Sequence, residues 1–250
     1  MNDRIMSEII IRDEGPVRAV LLNRPEKGHA ITKPQAEELQ RILAGFDASD
    51  QRVLVLGATG TRAFTFGADM TDPPELWRVV PGVGYSTLKP VIGAFEGWCV
   101  GGGLVIAAMC DLAVAGAGAK FSYPEAKVGL TGGMIASLAA RIPHKIAMEL
   151  MLACKVLDAQ RALTAGLVNE VVPEGQALAR AIAWGQELAG FAPLVMAELK
   201  RMVIDEVLPR GPSERMAIQA ARIAAVRGSE DRHEGVAAFR EKRPPQFKGR

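Results

Sequence analysis

Apolar residues fall in short β-branched runs early in the chain and at helical spacing later in it. Residues 8–13 and 17–22 flank Glu14-Gly15-Pro16, which predicts a β-hairpin. The stretch Asn23-Arg24-Pro25-Glu26-Lys27-Gly28 is a loop by composition. Thr32 can then cap a helix with Pro34 in its first turn and Leu39, Ile42, Leu43 and Phe46 at helical spacing. Residues 53–57 read as a buried strand parallel to its neighbours. Residues 90–95 read as another, and 112–115 and 120–122 as two more. From 71 to 88, prolines and glycines replace any period, which predicts an irregular or short-helical excursion beside a site. After Gly132 the pattern is almost wholly helical, over 174–189, 193–207, 212–226 and 231–240, with 168–172 the one late strand. Strands and helices first, helices alone afterwards, predict an α/β core over residues 1–190 and a helical region over 191–250.

Composition permits a large core, since 49% of the 250 residues are hydrophobic and 23% charged. A net charge of +2 gives no support for a nucleic-acid partner. Cys99, Cys110 and Cys154 are few, odd in number and set in apolar contexts, as buried thiols of a reducing compartment would be. His29, His144 and His233 are scattered and unpaired with cysteines, so no metal site is suggested. The N-terminal residues lack the basic-then-apolar form of a secretion signal, and no run approaches the roughly 20 apolar residues of a membrane span. These features lead us to expect a soluble, cytoplasmic protein with no membrane partner.

The segment 97–111, Gly-Trp-Cys-Val-Gly-Gly-Gly-Leu-Val-Ile-Ala-Ala-Met-Cys-Asp, carries the first chemistry. A buried strand leads into three glycines and then an apolar helix of two or three turns. Glycine lets backbone approach a ligand closely, and the first N–H groups of a helix have no internal partner. With the helix dipole behind them, such donors suit an oxygen that becomes negative. A P-loop is excluded because Leu104-Val105 stand where Lys-Ser/Thr would be required. A dinucleotide fingerprint starting at Gly101 needs glycine where Ile106 stands.

With these pieces in place the chain resembles the crotonase family, also called the enoyl-CoA hydratase/isomerase family. Residues 22–27 resemble its opening motif, 62–70 its first oxyanion-loop motif, 97–111 the second, and 121–133, with Pro124-Glu125, the catalytic one. Residues 159–169 and 234–250 follow its later pattern and its ending. The resemblance implies a crotonase-like ββα spiral core and an acyl-CoA thioester substrate, coenzyme A being part of that substrate and no separate cofactor. It also implies a homotrimer or a dimer of trimers assembled through 191–250. It places the thioester oxygen between the amides of Phe66 and Gly102, and proton transfer on Glu125. Contacts to the CoA moiety fall on Arg24, Ala30, Ala68, Asp69 and Met70, completed by Phe239 and Lys242. Val105 and Gly133 fall at the acyl pocket.

Family hydratases use two glutamates, and the first of them falls here on Val105, which cannot transfer protons. Hydration is readily shared between two carboxylates, whereas moving a double bond from Δ3 to Δ2 needs one group to take a proton at C2 and return it at C4. The expectation is therefore a thioester enolate with one proton shuttled through Glu125, leaning to isomerisation. The alternatives are an enoyl-CoA hydratase, a divergent acyl-CoA hydrolase or dehydratase, and a non-catalytic acyl-CoA-binding relative. Glu96, just before the glycine turn, is read as a structural hydrogen-bonding group rather than a substitute acid. The short stretch 71–88 leaves the acyl chain's length and shape open.

Overall fold

Hydrogen bonding sorts the strands into two sheets, and the chain steps from one to the other in three successive strand pairs. The computed structural model describes residues 2–6, 8–208 and 210–250. Strands β1 (Asn2–Met6), β2 (Ile9–Glu14) and β3 (Val17–Leu22) run antiparallel at one edge of a seven-stranded sheet, β2 and β3 forming the expected hairpin. Parallel strands β4 (Val53–Ala58), β6 (Val91–Phe95), β8 (Leu112–Gly116) and β11 (Glu170–Val172) continue that sheet. Each of β4, β6 and β8 is followed by a short strand that leaves for a second sheet. These are β5 (Ala63–Thr65), β7 (Trp98–Val100) and β9 (Lys120–Ser122), joined there by β10 (Leu157–Asp158). A helical piece follows each short strand in turn: the 3-10 turn Leu76–Val79, then α2 (Gly102–Met109), then α3 (Glu125–Val128), with α1 (Lys33–Ala44) earlier between β3 and β4. Strand, strand, helix, three times over, is the ββα spiral core.

Alternation along the long strands divides the apolar side chains between two cores. Val53 and Val55 of β4 face one side with Val17, Ala19 and Leu21 of β3, where α6 (Ala177–Ala189) covers them. Leu54 and Leu56 face the other side, into the larger core between the sheets, where Phe95 stacks edge-on against Phe64 at 4.8 Å and Phe121 at 6.0 Å. Thr32 caps α1 as expected, accepting the Gln35 N–H at 3.4 Å. The rest of the chain is α4 (His144–Ala153), α5 (Ala159–Thr164), α7 (Pro193–Met202), α8 (Pro212–Arg227) and α9 (Glu230–Glu241).

Two expectations are corrected. The late strand at 170–172 has a companion in β10, whose two residues pair with Lys120 and Phe121 of β9. The helix expected over 193–207 changes at Val203 into a π turn, Val203–Val207. Among the described residues no helix is long and apolar enough to cross a membrane.

Candidate active site

The buried β6 strand delivers the chain to β7, and Gly101 then turns it into α2. Gly101 sits at φ 58°, a left-handed conformation that a side chain would strain, and its N–H is bonded to the Ser122 carbonyl of β9 at 2.9 Å. Gly102 begins α2 with no capping side chain, and its amide has no hydrogen-bond partner among the described residues. A bare N–H thus stands at the positive end of the helix.

A second bare amide comes from the loop facing it. Segments 28–31 and 66–69 run side by side, paired between Ile31 and Ala68. Of the four consecutive amides from 66 to 69, three are spent. Phe66 donates to the Gly28 carbonyl at 2.9 Å, Gly67 to Thr65 Oγ1 at 3.0 Å, and Asp69 to the Ile31 carbonyl at 2.9 Å. This corrects the expectation for Phe66, whose N–H already has an acceptor and whose ring lies against Gly28. The amide left without a partner among the described residues is that of Ala68. Its neighbour Gly67 packs so closely that a Cβ there would lie 3.1 Å from the Val100 carbonyl oxygen and 3.7 Å from the Gly102 nitrogen. The two bare amides therefore belong to backbone segments in direct contact.

Glu125 opens α3, and its carboxylate lies over the same glycine turn. A Cβ on Gly101 would sit 2.7 Å from Glu125 Oε1. The other oxygen, Oε2, is buried with no hydrogen-bond partner. Burial lifts this carboxyl from the ordinary 4.5 to about 7, so it can hold or release a proton near neutral pH. The loop behind Glu125 is fixed by a residue the sequence reading passed over. Tyr123 Oη lies 3.1 Å from Thr131 Oγ1, which in turn accepts the Gly133 N–H at 3.1 Å. Gly133 packs against Ser213 of α8 and starts the 3-10 turn Met134–Ala140, along which α2 lies. Val105, in the first turn of α2, is 4% exposed and packs in the larger core. Glu96 is elsewhere employed: its Oε1 accepts the Ala177 N–H at the start of α6 at 3.0 Å.

The loop pairing brings Arg24, Ala30, Ala68 and Asp69 together, with Met70 next along the chain and exposed, but Arg24 is not free. Its guanidinium donates to the Ala30 carbonyl at 2.6 Å and to Asp69 Oδ2 at 3.2 Å, and its Nε lies 3.0 Å from Glu8 Oε1. With its side chain 11% exposed, Arg24 braces the loop; a phosphate would have to compete with three internal partners. Asp69 is held below the usual carboxylate range, chiefly by hydrogen bonds from Thr71 and then by Arg24. Beneath them lies buried His29, also unread in the sequence. Its Nδ1 accepts the Arg24 N–H at 3.0 Å, so its Nε2 carries the proton and donates to the Thr59 carbonyl at 2.9 Å. Among the described residues, no hydrogen bond or ion pair brings Phe239 and Lys242 to these loops, and Phe239 is 86% exposed. The charged neighbours of Lys242 pair locally instead, Arg243 with Glu234 at 2.6 Å.

Strand pairs shared between two sheets, each followed by a helical piece, define a protein of the crotonase fold. A family model described as enoyl-CoA hydratase/isomerase matches residues 12–250, and the chain belongs to that family of enzymes. It is 30% identical to the 2,3-dehydroadipyl-CoA hydratase of Escherichia coli K12, over 98% of this chain and 100% of that one. It is 33% identical to the (E)-benzylidenesuccinyl-CoA hydratase of Thauera aromatica, over 93% and 96%. Among solved structures, an enoyl-CoA hydratase of Mycobacterium tuberculosis H37Rv superposes with a TM-score of 0.74 at 30% identity, covering 97% of this chain and 99% of its own.

Proposed function

We propose that the enzyme binds an acyl-CoA thioester with its carbonyl oxygen between the amides of Ala68 and Gly102 and moves one proton through Glu125. Ionised Glu125 takes a proton from C2 of a 3-enoyl-CoA, and the electrons pass into the thioester oxygen to give a dienolate. Protonated Glu125 then returns the proton at C4, leaving a 2-enoyl-CoA and the carboxylate as it began. Each main-chain donor contributes about 10²–10³ in rate in sites of this type. The observation that carries this reading is the Glu125 carboxyl, lifted by burial and with one oxygen unpartnered, lying over the glycine turn; by the family resemblance, Val105 stands where hydratases carry a second glutamate.

Hydration is the second reading, favoured by the hydratase names of the relatives. It would require Glu125 both to activate water and to supply the α-proton. Rates on a 3-enoyl-CoA and a 2-enoyl-CoA of equal chain length separate the two. Faster conversion of the 3-enoyl ester supports isomerisation, and faster water addition to the 2-enoyl ester overturns it.

Assembly into trimers, singly or as a dimer of trimers, belongs to the same reading. Leu194, Val195 and Met202 of α7, Met216 and Val226 of α8, and Phe239 of α9 are large apolar side chains left exposed on the helical region, the kind of surface a neighbouring copy would cover. Because Phe239 and Lys242 do not reach the CoA loops within one chain, a neighbouring copy is their route to such a site. Light scattering that returns a monomer at micromolar concentration would sink this proposal.

A further inference from the structure

A cavity of about 570 Å³ lies off the reaction site, and nothing in the proposed chemistry uses it. Three segments have one end at the reaction site and the other in the cavity wall. α2 starts at Gly102 and reaches the wall with Ala107 and Ala108. The stretch after β5 goes from Leu76, which packs over Gly102, to Pro81 and Gly82 in the wall. The third runs from Gly133 to Arg141 and Ile142. α8 ties the two places together, since Ser213 lies against Gly133 while the next residue, Glu214, lines the cavity. At 1.5 Å per residue, Ala108 is about 9 Å along the helix from Gly102. An acyl chain that leaves the thioester along α2 heads toward this space.

Most of the wall is apolar, and most of its polar groups are spent inside the protein. Lys200 Nζ bonds Asp111 at 2.6 Å, and Asn169 Oδ1 accepts the Ala113 N–H at 2.8 Å. Glu214 differs: it is 3% exposed, and its Oε1 has no hydrogen-bond partner. A buried acceptor without a donor is costly, so a donor from a ligand would account for its place. Arg141 stands in the same wall and gives one N–H to the Ser137 carbonyl at 3.1 Å. It feels the charge of Glu214 but forms no ion pair with it, and Arg210 borders the cavity as well.

We infer that the cavity receives the far end of the acyl group and that Glu214 and Arg141 read a hydroxyl there. The substrate class is then a medium-length acyl-CoA carrying a hydroxyl at its distal end. This rests on the acyl-CoA reading above. A hydroxyl donates to Glu214 Oε1 and accepts from Arg141, whereas a methyl end leaves Glu214 Oε1 without a donor. A carboxylate end would set negative charge beside a buried carboxylate.

The test uses three medium-chain 3-enoyl-CoA esters of one length, ending in methyl, hydroxyl or carboxylate, with 3-butenoyl-CoA as a short reference. Kd by calorimetry and kcat/KM are measured for each. The hydroxyl ester should bind about 10- to 100-fold more tightly than the methyl ester, the range for a hydrogen bond to a charged group. Glu214→Leu should collapse that ratio to about one, and Glu214→Gln, which keeps an acceptor, should retain part of it. Equal affinity for the three esters, or preference for the carboxylate, overturns the inference while turnover of 3-butenoyl-CoA leaves the acyl-CoA reading standing. Failure to bind or turn over 3-butenoyl-CoA removes both.

Discussion

Glu125→Gln should stabilise the protein more at alkaline pH than in acid, because it deletes a charge that burial makes costly. The folded carboxyl titrates at about 7 against an ordinary 4.5. Since the folded value is raised, the native state holds this proton more tightly than the unfolded chain does. That advantage is complete below about pH 4.5 and is lost as pH rises through about 7. At about 1.4 kcal/mol per pH unit the full shift corresponds to about 3 kcal/mol. The group is only half-buried, so solvent screening reduces the expected effect to about 1–2 kcal/mol. Urea unfolding of both proteins from about pH 4.5 to about pH 8.5, at one protein concentration, measures it. The stability difference, variant minus parent, should widen by that amount across the range. A difference that stays flat with pH would show that Glu125 titrates ordinarily, and its fitness as a base near neutral pH would fall with it.

Three further outcomes follow from the site. Ala68→Pro deletes the bare N–H and should lower kcat/KM by about 10²–10³, whereas Phe66→Leu, which leaves every main-chain donor in place, should change it only a few-fold; equal losses would refute the assignment of the donor. Arg24→Ala should release Asp69 and the Ala30 carbonyl, and therefore appear as faster amide exchange in segments 28–31 and 66–69, not only as weaker CoA binding; unchanged exchange would make Arg24 a simple surface cation. Burial holds His29 below its ordinary 6.5, so its support of the Arg24 loop is complete above about pH 6.5 and lost as pH falls through the lowered value. His29→Gln should then reduce the loss of stability on acidification, which a pH series of thermal unfolding would show.

Much of this could be read in the chain because local patterns carried it. Strand β6, the glycine turn and α2 are contiguous, each with its own periodicity, and Pro124-Glu125 lies directly ahead of α3. Strands β5, β7 and β10 were not legible: two or three residues cannot display a period, and their existence depends on partners far along the chain. The oxyanion loop failed for the same reason. Whether Phe66 or Ala68 offers its N–H depends on pairing with 28–31, which no spacing within 62–70 reveals. The resemblance put Arg24 among the CoA contacts, and no local pattern could show its pairing with Asp69, 45 positions away. His29 and Glu214 gave no signal at all, since each gains its meaning only from burial beside distant groups.

The account stands most directly on one carboxyl carrying one proton. The measurement is conversion of a 3-enoyl-CoA labelled with deuterium at C2, followed in water by the parent enzyme and by Glu125→Gln. The parent should deliver part of the label to C4 of the 2-enoyl product, because the same carboxyl that removes it returns it before full exchange with solvent. The variant should lose about 10²–10⁴ in rate while still binding the ester. Turnover undiminished in Glu125→Gln, with no label at C4, would contradict the mechanism.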